Sequence, residues 1–240
     1  MMVHRGSTSN GPATVVILAA GMGSRLGRFL PQPLTPLNDG RTILQQQFDN
    51  IHHAFGTKIP VSIVVGYKLE HIIEAFSSAT FVYNEQYDQT NTSKSLLRAL
   101  HASGHGGVLW MNGDVVFDPR VLDRAAGLIS KDVSFVTVNT AKVSDEEVKY
   151  TTSAEGYIQE LSKTVSGGLG EAVGINSVSA SDKAALMRQL ARVDAQDYFE
   201  RGRELAIEQD RMLVEPMDIS DFYAVEVDFA EDLERANLFV

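Results

Sequence analysis

Two glycines and an arginine directly follow an apolar run near the beginning of this chain. The run TVVILAA covers residues 14–20, and Gly21, Gly23 and Arg25 come next at alternate positions. Glycines in such a turn let backbone N–H groups approach phosphate oxygens, and an arginine can bind phosphate through two parallel hydrogen bonds. The pattern favours a phosphate-binding loop, although glycine spacing alone also fits a plain tight turn.

Two common nucleotide-binding patterns are excluded at this loop. A dinucleotide-binding turn would need a third glycine where Leu26 stands, and it would open directly into a helix. The residues that follow, GRFLPQPLTPL, contain three prolines, which are incompatible with a helix there. The GxxxxGK[ST] pattern is also absent from the sequence. Gln32 lies between two of the prolines, where a phosphate-binding loop is expected to have a positive charge.

Acidic residues at the ends of two later apolar segments are candidate metal ligands. Asp114 ends VLWMNGD, and Asp228 ends FYAVEVD. Carboxylate oxygens at the carboxyl ends of strands suit Mg²⁺. Each residue has an alternative role: Asp114 could cap the next helix, and Asp228, with Glu231 three residues later, fits an N-terminal capping box. Glu226 lies on the same strand face as Asp228 and is its natural substitute as a ligand.

Short β-branched runs alternate with helix-like segments in the first part of the chain. The order is TVVILAA, TILQQQFDNIHHAF, VSIVVG, LEHIIEAFS, ATFVYN, SKSLLRALHAS, GVLWMNGD, PRVLDRAAGLIS and DVSFVTVN. This alternation predicts right-handed crossovers and a doubly wound α/β fold, with a mostly parallel sheet and helices on both faces. In such sheets, ligands bind beyond the carboxyl ends of the strands.

The pattern changes after residue 140. There it predicts a hairpin that turns at Glu155 and Gly156, a strand EAVGINSVS, two helices, a strand FYAVEVD and a last helix. No proline- or glycine-rich linker separates the two parts. We therefore expect a flexible tail and a single domain, with these bounds: tail 1–12, domain 13–240, nucleotide half 13–140, acceptor half 141–240.

Charge and composition exclude several classes of protein. The chain has 240 residues, a net charge of −10, 44% hydrophobic residues and no cysteine. The acidic balance argues against a nucleic-acid binder, and no apolar run is long enough to span a membrane. The lack of cysteine excludes disulfides, thiolate zinc sites and a cysteine nucleophile, and it fits a reducing compartment. We expect a cytoplasmic protein that supplies positive charge to an anionic ligand locally.

Several segments resemble the sugar-phosphate and choline-phosphate nucleotidyltransferases. LAAGMGSR, continued to PQPL, is similar to the signature LAAGxGxR…PKxL, with glutamine in place of lysine. Further segments resemble the family in the same order: VSIVVGY, NEQYDQTNTSKSLLRAL, MNGDVVF, EEVKY…GYIQELSK…GEAVGI and EVDFAEDLERA. The last two are similar to the acceptor half of the cytidylyltransferase branch. The resemblance implies a Rossmann-like fold, in agreement with the alternating elements.

The resemblance also implies a reaction. An acceptor phosphate or phosphonate oxygen attacks the α-phosphorus of a nucleoside triphosphate, with Mg²⁺ as cofactor, and pyrophosphate leaves. Such a transfer depends on alignment and charge neutralisation, which arginine and carboxylate-bound metal can provide. The implied partners are a triphosphate, with CTP favoured, and a small acceptor such as choline phosphate, aminoethylphosphonate or a polyol or sugar phosphate. We expect no nucleic acid and no membrane as partner, and a homodimer is one possible assembly.

The resemblance assigns roles to residues by position. The implied catalytic residues are Arg25, Gln32 and Asp114, and the implied metal ligands are Asp114 and Asp228. The implied nucleotide-binding residues are Leu18, Ala19, Ala20, Gly21, Met22, Gly23, Ser24, Arg25, Asn84, Asn91, Ser95, Asn112 and Gly113. The implied acceptor-binding residues are Lys149 and Glu171, with Lys163 as a weaker candidate. The three polar residues Asn84, Asn91 and Ser95 suit the edge of a pyrimidine. Asparagine turns and a helix cap at Ser93 are the alternatives there.

Gln32 departs from the family at a position where relatives have a lysine. An amide can donate a hydrogen bond to phosphate but supplies no charge. Three explanations stay open: another cation such as Arg28 or Lys94 reaches the phosphates, the chain is a weak or silent nucleotide-binding module, or the residue was changed deliberately. Two further functions are alternatives, a sugar 1-phosphate uridylyl- or thymidylyltransferase and a glycosyltransferase. The latter should carry an Asp-x-Asp pair, but NGDVV has one acid.

Overall fold

The computed structural model of the protein describes residues 11–23, 26–27, 29–141 and 147–240. Residues 1–10 of the predicted tail and the loop residues Ser24, Arg25 and Arg28 lie outside these ranges. The strands and helices are, in chain order, β1 (Thr14–Ala19), α1 (Ile43–Phe55), β2 (Val61–Val65), α2 (Leu69–Ala75), β3 (Thr80–Tyr83), α3 (Thr92–Ala102), β4 (Val108–Asn112), β5 (Val115–Phe117), α4 (Arg120–Ile129), β6 (Phe135–Asn139), β7 (Lys149–Thr152), β8 (Ile158–Ser162), β9 (Glu171–Val178), α5 (Lys183–Arg192), α6 (Phe199–Asp210), β10 (Glu215–Asp218), β11 (Ala224–Glu226) and α7 (Ala230–Ala236). A short 3₁₀ helix, Gln32–Leu34, lies between β1 and α1.

The main sheet is mostly parallel, which confirms the predicted fold class. Its strand order is β10-β6-β9-β4-β1-β2-β3, and β7 and β8 form a hairpin that joins it at β9. β1 is parallel to β2 and β4, and β6 is parallel to β10, whereas β9 is antiparallel to both β4 and β6. β5 and β11 pair antiparallel in a separate two-stranded sheet. The carboxyl ends of β1, β2, β3 and β4 therefore meet at one edge.

Helices cover both faces of this sheet, as the alternation of segments predicts. All six residues of β1 are buried, because successive side chains enter two different cores. Val15 and Ile17 pack in one core with α1, α2 and α4. Val16 and Leu18 pack in the other with α3, α5 and α6. No helix in the described ranges is long and apolar enough to cross a membrane.

The sequence pattern misses β5 and β10, and the structure explains both omissions. β10 contains Pro216, which lacks an N–H donor and interrupts an apolar run. This strand lies at the edge of the sheet, where proline is tolerated. β5 has only three residues and is completed by β11, more than one hundred positions later. The division into two halves stays a prediction, and strands from both predicted halves pair within one sheet.

Candidate active site

A cavity of about 800 Å³ opens where β1 and β4 end. Residues from both predicted halves of the chain line it. Of the residues implied by the resemblance, the cavity brings together Leu18, Ala19, Gly21, Gln32, Asn112, Gly113, Asp114, Glu171 and Asp228. Ser24 and Arg25, which the resemblance places in the same loop, lie outside the described residues. The predicted phosphate-binding loop and the predicted metal ligands therefore line the same cavity.

The turn after β4 places Asp114 against the glycine loop. The Gly113 N–H donates to the Leu18 carbonyl at 2.9 Å, and a Cβ at position 113 would lie 2.9 Å from that oxygen. The buried side-chain amide of Gln47 also holds this turn through hydrogen bonds. Its Nε2 donates to the carbonyls of Asn112 and Val115, each at 2.8 Å. These contacts fix the backbone on both sides of Asp114.

Four carboxylates line the cavity near this turn: Asp114, Glu147, Glu226 and Asp228. Burial raises the pKa of Glu226 well above its usual value, and the neighbouring charges of Asp114, Glu147 and Asp228 raise it further. A hydrogen bond of 3.2 Å from the Asn112 amide to Glu226 Oε1 acts in the opposite direction. Within the described residues, no three His, Asp or Glu side chains are arranged to hold a metal ion by themselves.

The alternative capping roles of Asp114 and Asp228 are wrong. α7 begins at Ala230, and the carboxylate of Asp232 accepts hydrogen bonds from the N–H groups of Phe229 and Asp228, at 2.9 and 3.2 Å. At the start of α4, Asp118 accepts from the Arg120 N–H at 2.9 Å. Residues closer to each helix therefore serve as caps.

Gln32 connects the glycine loop to the strand end that carries Asp228. Its Nε2 donates to the Val227 carbonyl at 2.5 Å and lies 3.5 Å from Asp228 Oδ1. Gly23 has a positive φ of 55°, and a Cβ there would lie 2.8 Å from Gln32 Cβ. The hypothesis that Lys94 replaces the missing loop cation is wrong, because its ammonium donates to two carbonyls at the end of α5. Arg28 lies outside the described residues.

A smaller pocket of about 80 Å³ adjoins the glycine loop, and Gly21, Tyr87, Asn91 and Ser95 contribute to its wall. Asn91 caps α3, since its side chain accepts from the Thr92 N–H at 2.8 Å. The predicted cap at Ser93 is therefore wrong. The side chain of Asn84 holds the segment from Thr90 to Ser95 through hydrogen bonds.

Asn84 organises the predicted base-recognition segment. Its buried amide donates to Thr90 Oγ1 and Ser95 Oγ, each at 3.0 Å. Its carbonyl oxygen accepts from the Gln86 N–H at 3.2 Å. The structure thus gives Asn84 a positioning role, while Asn91 and Ser95 face the small pocket.

The two predicted acceptor residues lie opposite each other in the sheet. Lys149 of β7 pairs with Glu171 of β9, and Glu171 lines the large cavity. Lys163, the weaker candidate, also lines it, and its Nζ lies 5.5 Å from the centre of the Tyr198 ring.

Tyr198 and Glu200 are cavity residues that the sequence analysis missed. Burial raises the pKa of Glu200 to about 7, although the positive charges of Arg203 and Lys163 oppose this shift. The run DYFERGRE offers a weak signal: an acid next to aromatic residues at a helix start. Their position in the cavity depends on how α6 packs, which no local pattern specifies.

Arg203 anchors α6 to the sheet behind this acid. The guanidinium is fully buried, donates to the carbonyls of Phe135 and Ser177 at 2.9 and 3.3 Å, and lies 4.5 Å from the centre of the Trp110 ring. Burial lowers the pKa of Arg203 to about 9, against the charge of Glu200. Arg203 therefore joins β6, β9 and α6 through polar contacts inside the core.

Comparison with known proteins gives a family and several relatives. The model of the MobA-like NTP transferase domain matches residues 15–192. A CMP-5'-(3-aminopropyl)phosphonate synthase of Streptomyces rubellomurinus is 37% identical over 125 residues, which are 48% of this chain and 19% of the relative. The bifunctional protein GlmU of Trichormus variabilis is 34% identical over 103 residues, which are 42% of this chain and 22% of the relative. The chain spans about a fifth of the length of these curated relatives.

Solved structures share the fold over nearly the whole chain. CTP:phosphocholine cytidylyltransferase from Streptococcus pneumoniae has a TM-score of 0.74 at 15% identity, covering 95% of this chain and 99% of the other. The inositol-1-phosphate CTP transferase from T. maritima also has a TM-score of 0.74 at 15% identity, covering 95% and 97%. These structures confirm the predicted nucleotidyltransferase fold.

Proposed function

Because the chain belongs to the MobA-like NTP transferase family, we propose that it transfers a cytidylyl group from CTP to a small phosphonate or phosphate acceptor and releases pyrophosphate. The main support is the single cavity that the glycine loop, Asp114 and Glu171 share. A donor at the loop and an acceptor near Glu171 can then meet in one space. The relative named for a CMP-phosphonate product favours cytidylyl transfer.

Mg²⁺ fits the carboxylates at the end of β4. Asp114, Glu226 and Asp228 line the same cavity, and a divalent cation would offset the negative charge of these carboxylates. One or two carboxylates together with substrate phosphates are the usual ligands of Mg²⁺. We assign Asp114 and Asp228 as the residues that would hold it. When bound, the ion would neutralise charge on the triphosphate.

An acceptor with an amine suits this cavity. Glu171 and Glu200 contribute carboxylates to its wall, and Tyr198 contributes an aromatic ring that already has the Lys163 ammonium 5.5 Å from its centre. Lys163 adds one positive charge that can approach the phosphonate end of the same molecule. A zwitterionic aminoalkylphosphonate matches this mixture of charges better than a sugar phosphate does.

Pyrophosphate release tests the proposed function. The protein is incubated with Mg²⁺, each of the four common triphosphates and a panel of acceptors: aminopropylphosphonate, aminoethylphosphonate, choline phosphate, a sugar 1-phosphate and propylphosphonate. We expect the fastest release with CTP and an aminoalkylphosphonate, and slower release with propylphosphonate, which lacks the amine. CTP binding without release for any pair would show a binding module instead. Transfer from a nucleotide sugar would show a glycosyltransferase.

Replacing Gln32 by lysine is expected to raise kcat about tenfold with little change in CTP affinity. A lysine adds a charge-assisted contact where negative charge develops on the leaving pyrophosphate. Steady-state kinetics at saturating CTP measure the change. Gln32→Met is the matched control, because it removes the amide contact with Val227 without adding charge. An unchanged or lower rate in Gln32→Lys would mean that another cation already acts there.

Replacing Glu200 by glutamine is expected to raise KM for an aminoalkylphosphonate about tenfold and to leave KM for propylphosphonate unchanged. The ionised form of Glu200 would pair with the ammonium group of the acceptor. With a pKa of about 7, this form becomes dominant as pH rises from 6 to 8, so KM of the original enzyme should fall over that range. Glu200→Gln should remove this fall. An equal rise in KM for both acceptors would contradict the assignment.

Glu200→Gln should also change the thermal stability of the protein. The carboxyl of Glu200 ionises near 4.5 in an unfolded chain but near 7 in the folded one, so ionisation destabilises the fold increasingly between these pH values. The Tm of Glu200→Gln minus the Tm of the original protein should therefore be more positive at pH 8 than at pH 4.5. Thermal unfolding at both pH values measures this.

A further inference from the structure

Gln47 lies between apolar residues on the buried face of α1. It comes three residues after Leu44 and four before Ile51, which places the three side chains on one side of the helix. All three are fully buried, and Leu44 and Ile51 belong to the core that also contains Val115. A buried amide costs free energy unless hydrogen bonds replace those it made with water. A glutamine at this position therefore needs an explanation beyond core packing.

The amide nitrogen of Gln47 bonds to both sides of the turn between β4 and β5. It donates to the carbonyls of Asn112 and Val115, each at 2.8 Å, and these two residues flank Gly113 and Asp114. The Oε1 atom of Gln47 is buried and has no hydrogen-bond partner among the residues that the structure describes. A buried oxygen in this state destabilises the fold. The amide is therefore satisfied only through its contact with the turn.

The same turn is connected to the strand end that carries Asp228. The Val227 N–H donates to the carbonyl of Asp114 at 3.0 Å, and Asp228 is the next residue in the chain. The Gly113 N–H bonds the turn to β1. Hydrogen bonds from α1, from β1 and from the end of β11 therefore converge on residues 112–115. A shift of this turn would move Asp114 relative to Asp228.

Asn50 lies one helical turn further along α1 and provides a comparison. Its buried amide donates to the Phe117 carbonyl at 2.8 Å, at the end of β5. The large cavity is lined by Asp114 but by neither Asn50 nor Phe117. Asn50 therefore holds the same strand from the same helix, but at a residue outside the cavity wall.

We propose that Gln47 is a positioning residue for the metal site: its two hydrogen bonds hold the turn so that Asp114 and Asp228 can bind one divalent cation together with the triphosphate. The inference rests on the proposed function and deepens it. Mg²⁺ requires near-ideal octahedral geometry, so a displaced ligand weakens its binding. Residues that orient metal ligands typically change metal affinity by about ten- to a hundredfold when they are mutated. The Gln47 side chain is fully buried and acts through the backbone.

Calorimetric titration with CTP, once in EDTA and once in saturating Mg²⁺, tests the proposal without acceptor and therefore without turnover. In the original protein Mg²⁺ should strengthen CTP binding, and Asp114→Asn should remove most of this gain. Gln47→Met keeps the length of the side chain but has no N–H donor. It should reduce the gain about tenfold and leave CTP affinity in EDTA unchanged. Asn50→Leu is the matched control, because it also removes a buried amide from α1, and it should keep the full gain.

Thermal unfolding shows whether both variants are folded at the temperature of the titration. If Gln47→Met is not folded, Gln47→Glu replaces it, because a protonated carboxyl keeps one donor. A smaller loss of the Mg²⁺ gain is then expected.

Equal losses of CTP affinity with and without Mg²⁺ in Gln47→Met would overturn the proposal, because Gln47 would then only support the fold. An unchanged gain in Gln47→Met, the same loss in Asn50→Leu, or a gain that survives in Asp114→Asn would overturn it too. So would the absence of any Mg²⁺ effect in the original protein. If the expected pattern appears but the original protein releases no pyrophosphate with any acceptor, the proposed function is refuted and the role of Gln47 at the metal site is supported.

Discussion

Replacing Asp114 by asparagine is expected to lower kcat about a hundredfold to a thousandfold while the protein stays folded. Asparagine has the same shape, so the Gly113–Leu18 contact and the Gln47 bonds around this turn should persist. The variant lacks the negative charge with which the carboxylate would bind Mg²⁺. Pyrophosphate release at saturating CTP, measured over a range of Mg²⁺ concentrations, should show both a lower maximum and a higher half-saturating concentration.

Two matched variants make this result specific. Asp123→Asn removes an exposed carboxylate from α4 and should leave the rate unchanged. Asp228→Asn should cause a loss similar to that of Asp114→Asn if both residues bind the same ion. If Asp114→Asn keeps its rate, the metal assignment at β4 is wrong. If Asp228→Asn is active and Glu226→Gln is not, Glu226 is the second ligand.

Replacing Arg203 by leucine is expected to lower the free energy of unfolding by about 3 to 5 kcal/mol. The guanidinium is buried, and its removal leaves the carbonyls of Phe135 and Ser177 without these donors in the core. The cation–π contact with Trp110 is lost as well. For a chain of this size, such a change corresponds to a Tm lower by about 10 °C. Urea and thermal unfolding both measure it.

A neighbouring arginine provides the control for Arg203. Arg201 is exposed on the same helix and pairs with Glu204 at 3.2 Å. Surface pairs of this kind contribute about 0 to 1 kcal/mol, so Arg201→Leu should change stability little. A loss below about 1 kcal/mol in Arg203→Leu would show that the two carbonyls find other partners, such as water. Arg203→Lys should lie between the two variants, because it keeps a charge but loses the planar fork.

The parallel core of the fold is predictable from the sequence because its central strands β1, β2 and β4 are buried on both faces. Runs such as TVVILAA and GVLWMN are then continuously apolar, and each is followed by a segment with helical spacing. β10 is not predicted from the sequence because Pro216 is typical of a turn. The pairing of β10 with β6 depends on tertiary structure. The position of the antiparallel strand β9 in the middle of the sheet is equally unpredictable from the sequence, since a strand pattern does not specify which strands lie beside it.

The positions proposed for phosphate and metal binding are predictable to a similar extent. Gly21, Gly23 and Asp114 follow shortly after the ends of β1 and β4, so their location follows from the topology once the strands are known. Glu200 belongs to a helix that reaches the cavity through packing. That packing has no fixed sequence spacing. Local patterns therefore identify the proposed donor end of the site better than the proposed acceptor end.

The position of β9 between β4 and β6 also affects the risk of aggregation during synthesis of the chain. A ribosome releases residues 108–112 and 135–139 long before it releases 171–178, so the facing edges of β4 and β6 have no partner until then. Exposed strand edges are templates for pairing with other chains. Slow synthesis between residues 140 and 178 should therefore favour aggregation of the nascent protein, and a chaperone that shields these edges should raise its soluble yield.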